Sequence, residues 1–383
     1  MRHVSLLIKP ASSLCNMRCR YCFYADVSER RTVKNYGVMT PELQEKMVEN
    51  AFRTATESVS FAFQGGEPTL AGLEYFRRHV RLCKKYQKPG IRVSQSVQTN
   101  GLLLDEEWAA FFAENQFLVG LSLDGPKEIH DANRRDAAGK GTFPAVMEAG
   151  RLLKKHGVPF NILCVVDNTV ARNANQVLNF FLQNGFFYLQ FIPCLDELDF
   201  NGETEPRLSA QAYLRFLLTS VRKYVSCFRK GTFLSIRNLD NYVGMLLNLP
   251  PESCAMNGRC SAYFVVEGDG SVYPCDFYVL DRYKMGNVAE QSFQEMYDSE
   301  LCRKFVAESL WVDPACKQCP WYALCRGGCR REREPFREGK PGLNRFCETY
   351  RKFFEQAVPQ LEYVAAELRR RSGGGACREG RSM

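Results

Sequence analysis

The sequence predicts an α/β fold: a parallel sheet curved into a partial (β/α)6 barrel, TIM-like, followed by a smaller cysteine-rich domain. In the first half of the 383 residues, six short apolar segments alternate with segments of helical period, and after about residue 200 the alternation stops. Strands joined by helical crossovers lie parallel, and strands that are apolar throughout are covered on both faces. The alternation alone fits an open doubly wound sheet equally well.

Each element has its own local signal. The predicted strands are apolar runs bounded by polar residues, proline or glycine, at 4–8, 58–63, 91–97, 117–123, 159–166 and 186–192. The helices predicted between them cover 41–52, 73–86, 105–113, 143–156 and 171–183. The first begins at Thr40-Pro41, because threonine caps helix amides and proline suits the first turn. Later segments predict helices over 209–228, 239–247 and 349–370, and a hairpin over 263–274.

The loops after the strands favour the barrel. Three cysteines follow the first strand, Gln-Gly-Gly-Glu-Pro (64–68) follows the second, and Gln-Thr-Asn-Gly (98–101) follows the third. Asp-Gly-Pro (124–126) follows the fourth strand and Pro-Cys-Leu-Asp (193–196) the sixth. The carboxyl ends of barrel strands form one rim, where several loops build a wide site. A sheet with a single crevice accounts for this placement less well.

Cysteine is the outlying residue in the composition. There are 17 cysteines against four histidines, and 51 lysines and arginines against 43 acidic residues give a net charge of +8. No apolar run is long enough to cross a membrane, and no basic stripe is interleaved with aromatics, so we expect neither a membrane nor a nucleic-acid partner. The short apolar N-terminus predicts a strand rather than a secretion signal, which places the protein in the cytoplasm. Reduced thiols there favour metal binding over disulfides.

Cys15, Cys19 and Cys22 are spaced to bind one compact inorganic core. Three thiolates on a four-iron cluster leave one iron open to a further ligand, and an open position distinguishes a reactive metal site from a structural one. From the spacing alone, a structural zinc ion or buried free thiols remain the alternatives.

Two segments resemble the motifs of radical S-adenosylmethionine (SAM) enzymes: C-N-M-R-C-R-Y-C (15–22) resembles CxxxCxxC, and residues 65–68 resemble GGEP. The resemblance implies that Cys15, Cys19 and Cys22 hold a 4Fe–4S cluster whose open iron binds SAM. It also implies contacts to SAM from Tyr21, Gly66, Ser122, Arg134 and Leu195. The same rim carries Tyr24, Gln64 and Asp124.

Eight later cysteines resemble the SPASM extension of radical SAM enzymes, which implies two auxiliary 4Fe–4S clusters. The first takes Cys254, Cys260, Cys275 and Cys329, and the second takes Cys316, Cys319, Cys325 and Cys347. Full cysteine ligation leaves no iron open, so these clusters are expected to carry electrons. We therefore expect a radical SAM barrel over 1–235, a SPASM domain over 236–371 and a disordered tail over 372–383. A zinc ribbon built from the same thiols is the alternative.

Longer stretches, among them FAFQGGEPTLAGLE and FVVEGDGSVYPCDFYVL, are similar to the anaerobic sulfatase-maturating enzymes over nearly the whole chain. The resemblance implies oxidation of a cysteine or serine of a sulfatase to formylglycine. In that scheme a 5′-deoxyadenosyl radical from SAM removes a β-hydrogen, a base takes the thiol or hydroxyl proton, and an auxiliary cluster accepts the remaining electron. Asp276, directly after Cys275, matches the family's base, and a carboxylate suits a proton acceptor. A turn aspartate that caps a backbone amide is the alternative for Asp276.

The resemblance also implies two partners. One is a sulfatase segment of the form Cys/Ser-x-Pro/Ala-x-Arg, and the other is a reducing electron donor such as flavodoxin or ferredoxin. The rival functions are another SPASM enzyme that modifies a peptide, and a non-catalytic zinc or electron-transfer protein. The sequence leaves open whether cysteine, serine or both are oxidised.

Overall fold

The computed structural model of the protein describes residues 1–198, 200, 202–336 and 338–375. The chain forms two compact units, and each is described by itself. The first unit comprises Met1–Leu163, Leu195–Thr204 and Ser261–Ala307. The second comprises Cys164–Cys194, Glu205–Cys260 and the residues from Glu308 onward. Each unit is therefore assembled from separated stretches of sequence.

The strands and helices alternate through the first 200 residues. In chain order the strands are β1 (His3–Ile8), β2 (Ser58–Phe63), β3 (Arg92–Thr99), β4 (Leu118–Ser122), β5 (Phe160–Val166), β6 (Tyr188–Pro193), β7 (Ser235–Ile236), β8 (Phe264–Val266), β9 (Ser271–Tyr273) and β10 (Gly286–Asn287). The helices are α1 (Phe23–Glu29), α2 (Pro41–Thr54), α3 (Leu73–Tyr86), α4 (Glu106–Glu114), α5 (Lys127–Asn133), α6 (Phe143–Lys155), α7 (Asn168–Arg172), α8 (Ala174–Gln183), α9 (Ala210–Arg229), α10 (Arg237–Leu246), α11 (Phe293–Tyr297), α12 (Glu300–Ser309), α13 (Pro314–Lys317), α14 (Tyr322–Cys325) and α15 (Cys347–Gly375).

The sheet of the first unit combines parallel strands with the later hairpin. β1 lies between β2 and β8 and is parallel to both, and the order continues through β3 and β4 to β5. The register of β1 on β2 runs without a break from His3 opposite Ser58 to Ile8 opposite Phe63. β8 pairs antiparallel with β9, and β9 with β10. The predicted hairpin is confirmed, whereas its attachment to β1 had no signal in the sequence.

An aromatic core fixes the strands of the first unit against their helices. α2 begins at Thr40, whose side chain accepts the amide of Leu43, and α4 begins in the same way at Asp105. Large rings fill the space beneath these helices, and burial of each contributes about 25 cal/mol per Å² of apolar surface. The fully buried rings here are Phe52, Phe61, Phe63, Phe76, Phe112 and Phe117. This packed core supports the strand ends from which the loops of the site begin.

The second unit is largely helical in its described part. α9 packs along α15: the hydroxyl of Thr349 donates to the carbonyl of Ala210 at 3.0 Å, and the rings of Tyr213 and Phe346 lie 4.7 Å apart. β6 pairs in parallel with the two-residue strand β7, which the sequence did not predict. Within the described residues, no helix combines the length and the apolar character needed to span a membrane.

The α/β class predicted from the alternation is confirmed, with small shifts at element ends. The helix predicted over 171–183 is wrong in one respect: it is two helices, because Asn173 leaves helical geometry with φ −106° and ψ 25°. α1 and α5 are only seven residues long and were not predicted. α15 continues to Gly375, so residues 372–375 of the predicted disordered tail are helical, and residues 376–383 lie outside the described residues. The domain bounds 1–235 and 236–371 stay a prediction.

Candidate active site

The three-cysteine loop lies between β1 and α1. The Met17 amide donates to the sulfur of Cys15 at 3.4 Å, and the Ala25 amide donates to the sulfur of Cys22, which caps α1. Burial raises the pKa of Cys15 to about 12 and that of Cys19 to about 11, and the neighbouring thiols add to both shifts. The sulfurs therefore lie within each other's electrostatic field. The raised pKa values keep Cys15 and Cys19 protonated at neutral pH without a metal, so iron binding must displace their protons.

The Gly-Gly-Glu-Pro loop is bound directly to the three-cysteine loop. The Gly66 amide donates to the carbonyl of Ser12 at 3.0 Å, and the Glu67 amide donates to the carbonyl of Leu14 at 2.7 Å. A Cβ on Gly66 would lie 2.0 Å from the Leu14 oxygen, so only glycine permits this approach. The backbone of residue 66 is thus held beside the segment that carries Cys15.

The Glu67 side chain joins neighbouring loops through hydrogen bonds, a role that the sequence analysis missed. Its buried carboxylate accepts hydrogen bonds from Thr69, from Thr99 and from the Asn100 amide at 2.7 Å. Burial raises the pKa of Glu67 despite these donors. The Asn100 side chain in turn donates to Asn16 at 2.7 Å. The loops after β1, β2 and β3 are therefore joined by one network.

Tyr21 and Arg134 both contact Asp124, and Arg134 also contacts Cys19 of the three-cysteine loop. The Arg134 guanidinium donates to both oxygens of Asp124, at 2.9 and 3.2 Å, and the Tyr21 hydroxyl donates to the same carboxylate. Arg134 also bonds to Cys19 and lowers its pKa, against the larger effect of burial. Ser122 ends β4 and Leu195 follows β6, and both are half-buried. The structure brings Tyr21 and Arg134 together with Cys19.

Asp276 is buried in a turn directly after the β8–β9 hairpin. The ammonium of Lys9 lies 2.6 Å from Oδ1 of Asp276, and the Gln64 amide donates to Oδ2 at 3.0 Å. The backbone amide of Asp276 donates to the hydroxyl of Tyr263, which lies 3.7 Å from the sulfur of Cys275. The carboxylate is therefore oriented on both oxygens and sits beside a predicted cluster ligand.

A second buried ion pair adjoins the first. Arg31 contacts Glu267 at 2.6 Å, both side chains are fully buried, and the Tyr24 hydroxyl donates to the same carboxylate. The Lys9 ammonium lies 3.5 Å from the centre of the Tyr24 ring, on its face. Sequence analysis missed Lys9, Arg31 and Glu267. The available signal was a lysine and a glutamate at the ends of otherwise apolar strands, where an unpaired charge is costly.

The cysteines of the second auxiliary set lie together in the second unit. Cys316 lies in α13, Cys325 ends α14 and Cys347 begins α15. Burial raises the pKa of Cys325 to about 11, and the charges of Cys316, Cys347 and Cys319 raise it further. The four thiols are therefore close enough to interact, as ligands of one cluster must be.

The first auxiliary set divides between the two units. Cys254, Cys260 and Cys329 belong to the second unit, and Cys275 belongs to the first. Burial raises the pKa of Cys260, with a contribution from Cys254, and the Cys260 amide donates to Ser309 at 2.8 Å. Among the described residues, no three Cys, His, Asp or Glu side chains are placed to share a single metal ion. A four-iron cluster makes a different demand, since its thiolates bind separate irons.

Comparison with known proteins identifies the class of protein to which this architecture belongs. The family model of the radical SAM superfamily matches residues 10–178, and that of the SPASM iron-sulfur cluster-binding domain matches residues 254–320. The fold and the three-cysteine loop thus define a radical SAM enzyme with a SPASM domain. The predicted cofactors, SAM and 4Fe–4S clusters, are confirmed at this level.

Full-length relatives identify the family. The chain is 47% identical to the cysteine-type anaerobic sulfatase-maturating enzyme of Clostridium novyi (strain NT), over 96% of this chain and 99% of that protein. It is 32% identical to the serine-type enzyme of Bacteroides thetaiotaomicron, over 95% and 91%. The solved structure of native anSMEcpe with bound AdoMet and Cp18Cys peptide is similar with a TM-score of 0.91 and 46% identity, over 96% of this chain and 99% of that one. The chain belongs to the anaerobic sulfatase-maturating enzymes.

Proposed function

We propose that this protein oxidises a cysteine of a sulfatase to formylglycine under anaerobic conditions. The supporting observation is the difference in identity: 47% to the cysteine-type enzyme of C. novyi against 32% to the serine-type enzyme of B. thetaiotaomicron, each over at least 95% of this chain. The sequence alone did not decide whether cysteine, serine or both are oxidised. The substrate we propose is a sulfatase segment of the form Cys-x-Pro/Ala-x-Arg.

The site residues follow from this proposal. Cys15, Cys19 and Cys22 would hold the SAM-binding cluster, and the eight later cysteines the auxiliary clusters. When bound, SAM and its cluster supply a hydrogen-abstracting radical, and the auxiliary clusters supply an electron acceptor. The residues proposed to bind SAM are Tyr21, Gly66, Ser122, Arg134 and Leu195. We place the radical SAM domain at 1–235 and the SPASM domain at 236–371.

Asp276 is the proposed base. A cysteine becomes a thioaldehyde only if it loses a β-hydrogen atom, its thiol proton and one further electron, for which an auxiliary cluster would be the acceptor. Water then hydrolyses the thioaldehyde to the aldehyde with release of hydrogen sulfide. The Asp276 carboxylate is buried, which excludes bulk water as a competing proton donor. Its Oδ2 is bonded by the rim residue Gln64 at 3.0 Å, a contact that a substrate thiol can replace.

The electron donor we propose is a flavodoxin or a ferredoxin, because each turnover begins with one low-potential electron. We place the reaction in the cytoplasm, where thiols stay reduced and open clusters persist.

The test uses the reconstituted protein under anaerobic conditions with SAM, reductant and matched peptides that contain Cys-x-Pro-x-Arg or Ser-x-Pro-x-Arg. We expect the cysteine peptide to lose about 18 mass units together with an equal amount of 5′-deoxyadenosine, and the serine peptide, if it reacts, to lose about 2. Faster conversion of the serine peptide would reverse the proposed preference. Formation of 5′-deoxyadenosine with neither peptide changed would overturn the sulfatase assignment.

A substitution tests Asp276 separately. Asp276→Asn keeps the shape of the side chain and removes the proton acceptor, so SAM cleavage should continue while formylglycine falls at least about a hundredfold. A wild-type yield of formylglycine would exclude Asp276 as the required base.

A further inference from the structure

Lys9 is a fully buried lysine for which the reaction scheme has given no role. Its side chain is 0% exposed, and its ammonium lies 2.6 Å from Oδ1 of Asp276. A buried ammonium is costly unless an opposite charge compensates it. The other buried carboxylate nearby, Glu267, is already paired with Arg31 at 2.6 Å. Asp276 is therefore the counter-charge of Lys9.

The backbone and the aliphatic part of Lys9 are held by contacts of their own, apart from the contact between its ammonium and Asp276. The Lys9 amide donates to the carbonyl of Val266 in β8 at 2.8 Å, which ties the end of β1 to the hairpin that precedes Asp276. A Cβ on Gly65 would lie only 3.1 Å from Cβ and Cγ of Lys9, so the glycine-rich loop packs closely on the stem. The face of the Tyr24 ring lies 3.5 Å from the ammonium and adds a cation–π contact.

These contacts give the two oxygens of Asp276 different surroundings. Oδ1 faces Lys9 in the interior. Oδ2 faces Gln64, the residue directly before the glycines that are proposed to meet SAM. A carboxylate can rotate about its terminal bond, and that torsion is soft on its own. The attraction to Lys9 favours the rotation that keeps Oδ1 on the interior side, and the other oxygen then faces Gln64 at the rim.

We propose that Lys9 is a positioning residue for the reaction: by pairing with Oδ1 it directs Oδ2 of Asp276 at the substrate proton. The inference rests on the proposed function, because it assigns Asp276 as the base. It predicts that removal of the Lys9 charge lowers oxidation of the peptide and leaves formation of the radical unchanged, since the radical chemistry does not use Lys9.

The experiment compares Lys9→Met, Asp276→Asn, the double variant and Arg31→Met, each reconstituted with iron. Arg31→Met is the matched control, because it also removes a buried cation from an ion pair in the same cluster but does not touch Asp276. The readouts are iron content, melting temperature, and formylglycine formed per 5′-deoxyadenosine together with kcat and KM for the cysteine peptide.

We expect Lys9→Met to keep its iron and its KM for the peptide, and to lose at least about tenfold in formylglycine per 5′-deoxyadenosine. The double variant should be no worse than Asp276→Asn alone, because the two residues act as one unit. Arg31→Met should melt at a lower temperature and keep the wild-type ratio. In the melting data, the shifts of Lys9→Met and Asp276→Asn should add up to more than the shift of the double variant. The reason is that each single variant leaves the charge of its partner uncompensated.

Three results would overturn the inference: a wild-type ratio in Lys9→Met, an equal loss of ratio in Arg31→Met, or additive melting shifts for Lys9 and Asp276. Failure of the proposed function is a different result. If the wild-type protein forms no formylglycine from the peptide, the assignment of the reaction fails, and the melting cycle still decides whether Lys9 and Asp276 act as a pair.

Discussion

Alanine at position 66 tests whether the Gly-Gly-Glu-Pro loop holds the three-cysteine loop in place. The added Cβ would lie 2.0 Å from the carbonyl oxygen of Leu14 and 2.6 Å from its carbonyl carbon. Non-bonded heavy atoms pack at about 3.5 Å, so the two loops must separate by more than about 1 Å. The obstructing atoms are backbone, which cannot move aside as the end of a flexible side chain can.

The separation breaks hydrogen bonds as well as packing. The Leu14 oxygen accepts the Glu67 amide at 2.7 Å, and the Gly66 amide donates to Ser12 at 3.0 Å. Two backbone hydrogen bonds at about 1 kcal/mol each, with about 1–3 kcal/mol of overpacking, give a loss of roughly 3–5 kcal/mol. Because Leu14 precedes Cys15, this loss falls on the cluster loop itself.

The assay measures iron content and SAM affinity together. Three four-iron clusters give about 12 irons per chain, and Gly66→Ala should retain about 8 and bind SAM at least tenfold more weakly. The matched control is Gly244→Ala in α10, where the nearest atom to the added Cβ is in Leu249 at 3.9 Å and alanine favours the helix by about 1 kcal/mol. Wild-type iron content and SAM affinity in the position-66 variant would refute the reasoning.

Three further predictions concern buried groups of the first unit. Burial lowers the pKa of His79 to about 3, whereas the unfolded chain takes up the proton near 6.5, so the metal-free protein should lose stability as the pH falls from about 6.5 toward 3. His79→Leu should flatten that part of the plot of melting temperature against pH. An unchanged slope would contradict this prediction. Arg134→Lys cannot meet both oxygens of Asp124, so the Kd for SAM should rise about tenfold with iron content unchanged, and an unaltered Kd would exclude the role. Glu67→Gln turns an amide donor toward the Asn100 amide and should lower the free energy of unfolding by about 1–3 kcal/mol in thermal unfolding. An unshifted midpoint would show that the hydrogen bonds of Glu67 are not needed for stability.

The features that were predictable from the sequence are those set by local patterns. The alternation of strands and helices imposes parallel crossovers, so the class of fold followed from periodicity. The spacing of Cys15, Cys19 and Cys22 is a property of eight consecutive residues, and it indicated one site without knowledge of the fold.

The features that were not predictable depend on distant pairing. The attachment of β8 to β1 places Val266 beside Lys9, and no local pattern encodes such a pairing. The ion pairs of Lys9 and Arg31 with carboxylates after β8 and β9 become visible only when that register is known. Arg134 was assigned to SAM by resemblance, and its contact with both oxygens of Asp124 depends on the side-chain geometry after α5.

β8 and β9 lie far along the sequence from β1, which has a consequence while the chain is being made on the ribosome. Arg31 is separated from Glu267 by 236 residues, and Lys9 likewise waits for Asp276. At about 5–20 residues per second, the two cations remain without their counter-charges for roughly 10–50 s after they are made. The end of β1 therefore cannot become a dry interior until Glu267 and Asp276 have been made. The three-cysteine loop follows β1 directly, so it adjoins a segment that stays hydrated until the hairpin and the turn after it have been made.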